Sequence, residues 1–344
     1  MGRSIRVLAS AAVMTVAAAG LVACGSSSDS GKTVTLSLVA YSTPQAAYQD
    51  IIKAFQKTTA GKNIKFTQSY GASGDQSRAV AAGQKADIVA FSLEPDITRL
   101  VTAKLVDPSW NANQYKGFVT DSVVVIATRK GNPKGIKSWA DLTRPGVSVI
   151  SPNPFTSGGA RWNVMAAYGA VSGKGADKTA GVNYLQSLFP QIAVQDNSAR
   201  ASLQTFVGGK GDAMIAYEND SIFAQQNHQP IDYTIPDSTI LIENPVAVTT
   251  NSAHPAEAKA FLDFLYTPAA QKIYADNGYR PVVQGAGGRS FTTPSGLFTI
   301  NDLGGWTAVT KEFFDPSTGI VAGIEQKLGV ATSSSPSPSA SAKG

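Results

Sequence analysis

Residues 147–163 read VSVISPNPFTSGGARWN: a short strand-like run breaks into two prolines, a Thr-Ser pair, adjacent glycines and an arginine. Ser157 is a natural helix cap, because its hydroxyl oxygen can accept from a first-turn N–H. Capping alone does not explain Gly158 and Gly159, each of which adds backbone freedom that folding must remove. Without Cβ atoms they allow close approach. Successive N–H groups from Ser157, Gly158 and Gly159 can then point at one ligand, with the partial positive charge of a helix start behind them. The stretch reads as an anion cradle at the carboxyl end of a strand, where ligands of open α/β sheets bind. Arg161, three or four residues into the helix, either grips that anion or ties the loop together through carbonyls or a carboxylate.

Outward from this loop, short apolar runs alternate with helix-like segments, the pattern of an α/β fold with mainly parallel sheets flanked by helices. Strands are predicted at residues 33–39, 64–67 and 86–90, with helices at 48–57 and 74–82 between them. The run SVVVIA at 122–127 is too continuous for an edge strand. After it come a helix near 138–142, the strand 147–150, a helix at 160–169, strands at 193–194 and 213–216, and a helix at 201–207. The apolar run 241–249 can return the chain to the first group of elements, followed by helices at 256–265 and 269–277. Two crossings between two lobes describe a hinged cleft, with lobe one at 32–122 plus 246–325 and lobe two at 123–245. Ser73 and Gly74, which follow a strand and open a helix within SYGASGDQ, present a second cradle or a plain helix cap.

The 344 residues are 43% hydrophobic and 15% charged, enough for two packed lobes. MGRSIR is basic, residues 7–23 are apolar and rich in small side chains, and Leu-Val-Ala precedes Cys24. Residues 1–23 read as a signal peptide and Cys24 as the lipidated residue of a bacterial lipobox. A flexible tether at 24–31 would then hold the domain on the outer face of the cell membrane. Cys24 is the single cysteine, so no internal disulfide is available. Loss of Arg3 and Arg6 with the leader lowers the formal charge from +5 to +3. No Lys/Arg cluster with interleaved aromatics supports nucleic-acid binding. Residues 332–344, TSSSPSPSASAKG, have the composition of a disordered Ser/Pro tail.

Residues 151–163 resemble the signature loop of the bacterial sulfate-binding proteins, periplasmic components of sulfate/thiosulfate ABC transporters. The stretches RKGNPK at 129–134, DNSAR at 196–200, GDAMIAYEN at 211–219, NPVAV at 244–248 and YRP at 279–281 agree in the same order. The likeness runs from about residue 34 to about residue 313. It implies the two-lobed type II periplasmic-binding-protein fold and a cleft in which neutral donors, mostly backbone N–H groups and hydroxyls, hold sulfate. Carried over by motif, the donors are Ser73, Ser157, Gly158, Gly159 and the N–H of Ala199. At two positions the chain departs from the family. Ser42 stands where the first strand of the family is followed by Asp, and Tyr217 stands where it has Trp before Glu-Asn. Both replacements keep a donor. The implied partners are sulfate or thiosulfate and the permease and ATPase subunits of an importer, with no cofactor, no metal, no catalysis and a monomeric chain.

A fully ionised sulfate has no proton to donate, so its site needs donors and no acceptor, whereas phosphate needs an acceptor for its own proton. Other readings remain open on residues alone. Molybdate or tungstate would use the same donors in a larger cavity. A serine hydrolase would need a histidine beside a nucleophile elbow, and His228 and His254 both sit in polar loop contexts away from any Gly-x-Ser-x-Gly. A scaffold lipoprotein would be expected to have damaged donor loops, and these are intact.

Overall fold

The computed structural model describes residues 33–332. The leader, Cys24, the tether and the tail beyond residue 332 lie outside the described residues. The first lobe begins as β1 (Val34–Tyr41), α1 (Gln45–Phe55), β2 (Ile64–Gly71), α2 (Ser73–Ala81), β3 (Ile88–Ala90) and α3 (Glu94–Thr102). A long strand, β4 (Phe118–Arg129), leads through a 3-10 turn at Trp139–Thr143 to β5 (Val149–Ile150), α4 (Gly158–Val171) and α5 (Lys178–Leu188). Then follow β6 (Ile192–Val194), α6 (Ala199–Val207), β7 (Ala213–Tyr217), α7 (Glu218–Gln226), β8 (Ile231–Thr234) and the second long strand, β9 (Ser238–Val248). The chain closes with α8 (Pro255–Leu265), α9 (Pro268–Asp276), β10 (Arg280–Pro281), β11 (Gly296–Phe298), α10 (Gly305–Phe314) and α11 (Ile320–Lys327).

The main path of the sheet runs β2-β1-β3-β9-β4-β7-β5-β6. Both ends are parallel: β1 with β2 and β3, and β5 with β6 and β7. The middle is antiparallel, because β4 carries the chain out and β9 carries it back. Val123 and the residues before it pair with β9, while Val124 to Thr128 pair with β7. Each long strand therefore belongs to two lobes. That role explains why SVVVIA is buried throughout, as a strand covered on both faces must be.

Two large cores and two smaller ones follow from this division. Leu36, Ile51, Phe55 and Phe261 pack on the face that α1, α8 and α9 cover. Trp162, Tyr168, Leu185 and Ile215 form the other large core. Residues 300–325, grouped with lobe one by the sequence reading, bury Trp306, Phe313 and Val321 in that second core. The physical reason is Trp162 on α4, whose ring needs cover and meets Trp306 edge-on with centroids 4.6 Å apart. No described helix is long and apolar enough to cross a membrane.

Asp121 on β4 sits directly opposite Glu243 on β9 and is also paired in register with Arg280 of β10. Burial first and the Glu243 charge second push its carboxyl up to about 7, against the pull of Arg280. The folded state thus keeps a proton that the unfolded chain releases near pH 4, so this group subtracts stability as pH rises from about 4 to 7. Asp121→Asn should raise Tm at pH 8 and narrow the gap between Tm values at pH 5 and pH 8. Thermal unfolding at the two pH values checks this, and an unchanged gap contradicts it.

Candidate functional site

The loop before α4 is held open by its own hydrogen bonds. Asn153 Oδ1 accepts from the Phe155 N–H at 2.7 Å, and Asn153 O accepts from the Ser157 N–H at 2.9 Å. Thr156 donates its hydroxyl to Asn197 O at 2.8 Å, which pins the loop to the start of α6. Ser157 caps α4 by accepting from the Ala160 N–H at 3.4 Å. Its own N–H is therefore committed, but its hydroxyl proton is not. The N–H groups of Gly158 and Gly159, in the first turn, have no intrahelical partner.

The two glycines are needed for different reasons. A Cβ on Gly158 would lie 2.6 Å from Leu93 Cδ2 and 2.9 Å from Ser92 Cβ, on the facing wall. A Cβ on Gly159 would have ordinary contacts of 3.5 Å to Ala199 Cβ, Ser157 Oγ and Tyr217 Cε1, which places it in the space these residues surround. The rest of the motif is bracing. Arg161 Nε donates to Pro154 O at 2.9 Å and its guanidinium lies over the Phe314 ring at 4.9 Å. Of the two readings of Arg161, the structure supports the loop tie. Trp162 Nε1 donates to Ser92 O at 2.8 Å, and Asn163 Nδ2 donates to Ile215 O at 2.8 Å.

The facing wall comes from the first lobe. Ser73 is the first residue of α2, and its hydroxyl donates to Asp96 Oδ2 at 2.6 Å while accepting from the Ser92 N–H at 3.0 Å. That hydroxyl is committed to the protein, which leaves the first-turn N–H of Ser73 as its free donor. Gly74 N–H donates across the cleft to Thr156 O at 3.1 Å. Arg200 reaches back from α6 to Thr43 O at 2.7 Å. Ser198 caps α6 by accepting from the Ala201 N–H at 3.3 Å, leaving the N–H of Ala199 outside the helical ladder.

Ser42, Ser73, Ser157, Gly159, Ala199 and Tyr217 all line one small pocket, and Gly158 is wedged behind it against Ser92. The space is small and enclosed, far below the scale of an organic substrate. Ser92 and Tyr41 also line it, and neither was identified from the sequence. Ser92 carried a usable signal, since it follows the third strand and precedes the acidic, Pro-containing first turn of α3. No charged side chain among the described residues lines the pocket. Instead the N-terminal ends of α2, α4 and α6 meet there, each with unpaired N–H groups and a positive dipole end. No group of His, Cys, Asp or Glu among the described residues could hold a metal ion. His228 lines a separate groove beside Lys130, away from these serines.

Tyr217 and Ser92 face each other across the pocket with hydroxyl oxygens 2.7 Å apart. Burial pushes the Tyr217 hydroxyl well above its ordinary range, so it stays protonated. In a chain of two hydroxyls one proton joins the pair and the other remains for a ligand. Tyr217→Phe should weaken binding of a dianion about tenfold, and Ser92→Ala similarly. The double variant should lose much less than the sum, because the two share one relay. Isothermal titration of the three variants with sulfate checks this, and Tyr217→Phe binding within twofold of the parent would make Tyr217 a wall only.

The family described as bacterial extracellular solute-binding protein matches residues 36–280. The chain belongs to this family. This solute-binding protein is 41% identical over 319 residues to a sulfate-binding protein of Synechococcus elongatus, covering 89% of the chain and 91% of the relative. It is 35% identical over 275 residues to a thiosulfate-binding protein of Escherichia coli, covering 75% and 80%. Among solved structures, the sulfate-binding protein SubI from Mycobacterium tuberculosis superposes with a TM-score of 0.80 at 42% identity, covering 82% of this chain and all of that one.

Proposed function

We propose that this solute-binding protein captures sulfate outside the cytoplasm, with thiosulfate as its second ligand, and delivers it to the permease and ATPase subunits of an ABC importer. One observation carries the reading: three helix starts converge on a pocket that has donors on every side and no charged side chain. The donors we assign are the N–H groups of Ser42, Ser73, Gly158, Gly159 and Ala199, the Ser157 hydroxyl, and the free proton of the Tyr217–Ser92 pair. Each hydrogen bond to a charged group contributes roughly 1.5–3 kcal/mol. Seven of them offset the cost of removing water from a dianion, which is several kcal/mol. A fixed countercharge is not required. Binding is stoichiometric and no chemistry follows.

Lobe one, on this reading, is residues 32–122 plus 246 to about 295, with the C-terminal helices moving with lobe two. The contacts that bridge the cleft, Gly74 to Thr156 and Ser92 to Tyr217, then belong to the closed state. Lipid attachment at Cys24 keeps the closing domain near its permease. Cys24→Ala should release the protein or leave it unprocessed, and unchanged lipid labelling would contradict the anchor. The ligand itself is tested by calorimetric titration with sulfate, thiosulfate, molybdate and tungstate. Sulfate should bind one per chain and tightest, with thiosulfate next. Tighter binding of molybdate or tungstate would assign the pocket to the larger oxyanions.

A further inference from the structure

A second, larger cavity of about 630 Å³ lies between the lobes and contains none of the donors described above. One side is α2 and α3, which contribute Arg78 and Arg99; the other is the 151–157 loop, α4 and α10, which contribute Arg161 and Lys311. The aromatic rings of Phe155, Trp306 and Phe314 form its apolar walls. The four cations are not equivalent. Arg78 is paired with Asp75, and Arg99 with Asp96 at 2.8 Å. Arg161 and Lys311 make no ion pair among the described residues; the one hydrogen bond of the Arg161 guanidinium there runs from its Nε to Pro154 O, which leaves its terminal nitrogens for a ligand. Burial pushes the guanidinium down to about 10; Asp96 opposes the fall, and the neighbouring Arg99 and Arg78 add to it.

We propose that this groove is a second ligand site, for a small organic carboxylate: the planar carboxylate on the Arg161 fork and a flat apolar body against Phe155, Trp306 and Phe314. A guanidinium fork matches a carboxylate with two parallel hydrogen bonds, a geometry that an ammonium lacks. The size suits a ligand with one or two rings. The carboxylates of Glu94 and Asp315 on the lining exclude a polyanion and select a monoanion.

The site has a consequence for closure. Ile97 and Leu100 of α3 pack in the core with Val39 and Val89 of the first lobe, while Trp306 and Phe314 of α10 pack with α4. The groove therefore exists only while the two sides are together. An occupant binds the closed form preferentially, and by reciprocity it tightens the anion pocket by the factor by which that anion tightens the groove. Binding in the groove stands without the sulfate assignment; the coupling rests on it.

The test uses 2-naphthoate as probe and 2-naphthylmethanol as its neutral counterpart, titrated into the full chain with and without saturating sulfate. Naphthoate should bind one per chain with a submillimolar Kd, the alcohol at least tenfold weaker, and sulfate should tighten naphthoate by about fivefold or more. Arg161→Gln should abolish naphthoate binding. Because Arg161 also braces the 151–157 loop, Thr307→Trp, which fills the groove from the exposed face of α10, serves as the second variant. It should abolish naphthoate binding and leave sulfate affinity unchanged. Absence of naphthoate binding at millimolar concentration, equal binding of the alcohol, or full binding by Thr307→Trp overturns the site. Naphthoate binding that sulfate does not affect overturns the coupling alone.

Discussion

Gly159→Ala should abolish sulfate binding without harming the fold. The added methyl would make ordinary 3.5 Å contacts with Ala199, Ser157 and Tyr217, so nothing in the protein resists it. It would stand inside the small space these residues enclose, where an oxyanion would collide with it. Exclusion of this kind should weaken binding by at least about 100-fold, or about 3 kcal/mol. Alanine in a helix is meanwhile more favourable than glycine by roughly 0.5–1 kcal/mol. Thermal unfolding should therefore show a ligand-free Tm equal to or above that of the parent, with the sulfate-induced rise gone. A variant that still binds sulfate within threefold would place the anion elsewhere.

Gly158→Ala tests closure, one residue away and by a different physical route. Its methyl would meet Leu93 Cδ2 at 2.6 Å and Ser92 at 2.9 Å. Both residues are buried and sit on the facing wall, so neither can move aside without disturbing the Trp162–Ser92 bond. Overpacking of this size costs about 1–3 kcal/mol, which corresponds to a loss of roughly 5- to 150-fold in sulfate affinity. The strain arises only when the lobes meet, so the ligand-free protein should stay folded and sit open. Small-angle scattering should show sulfate compacting the parent and compacting the variant less at equal saturation. Identical compaction with identical affinity would mean that Gly158 does not set the closing distance.

Much of this architecture was legible because strand and loop signals coincide. Residues 147–163 announce a strand end, a cap and a helix start together, and the structure places that cap at Ser157. SVVVIA reads as a central strand because it lacks any polar face, and it does pair on both sides. The helices α3, α5, α7, α10 and α11 were missed: α5 follows a Gly- and Lys-rich turn, and α10 opens on glycines, Gly304 and Gly305, both at positive φ. Glycines at a helix start hide it, since the usual cap residues are absent. The packing of α10 and α11 on α4 depends on long-range burial around Trp162, which local pattern does not report.

At the pocket, sequence motifs marked which residues converge but not which of their atoms are free. Ser73 was identified as a donor, yet its hydroxyl is committed to Asp96 and Ser92, so only the backbone N–H can serve. Ser92 was missed although it completes the Tyr217 relay. Such assignments require knowing that α3 folds back beside α2, a contact between segments about 20 residues apart.

The central claim is that the anion is held by donors alone, and the measurement that tests it most directly is the competition of phosphate against sulfate at pH 7. Sulfate offers only acceptors. Hydrogen phosphate brings a proton that finds no charged acceptor in the pocket and leaves one donor facing a hydroxyl. Each unsatisfied group in a buried site costs about 1–3 kcal/mol. Titration should show sulfate binding at least about 100-fold tighter than phosphate. Equal affinities for the two anions would contradict the account, because they would require a strong, charged acceptor for the phosphate proton, and none lines the pocket among the described residues.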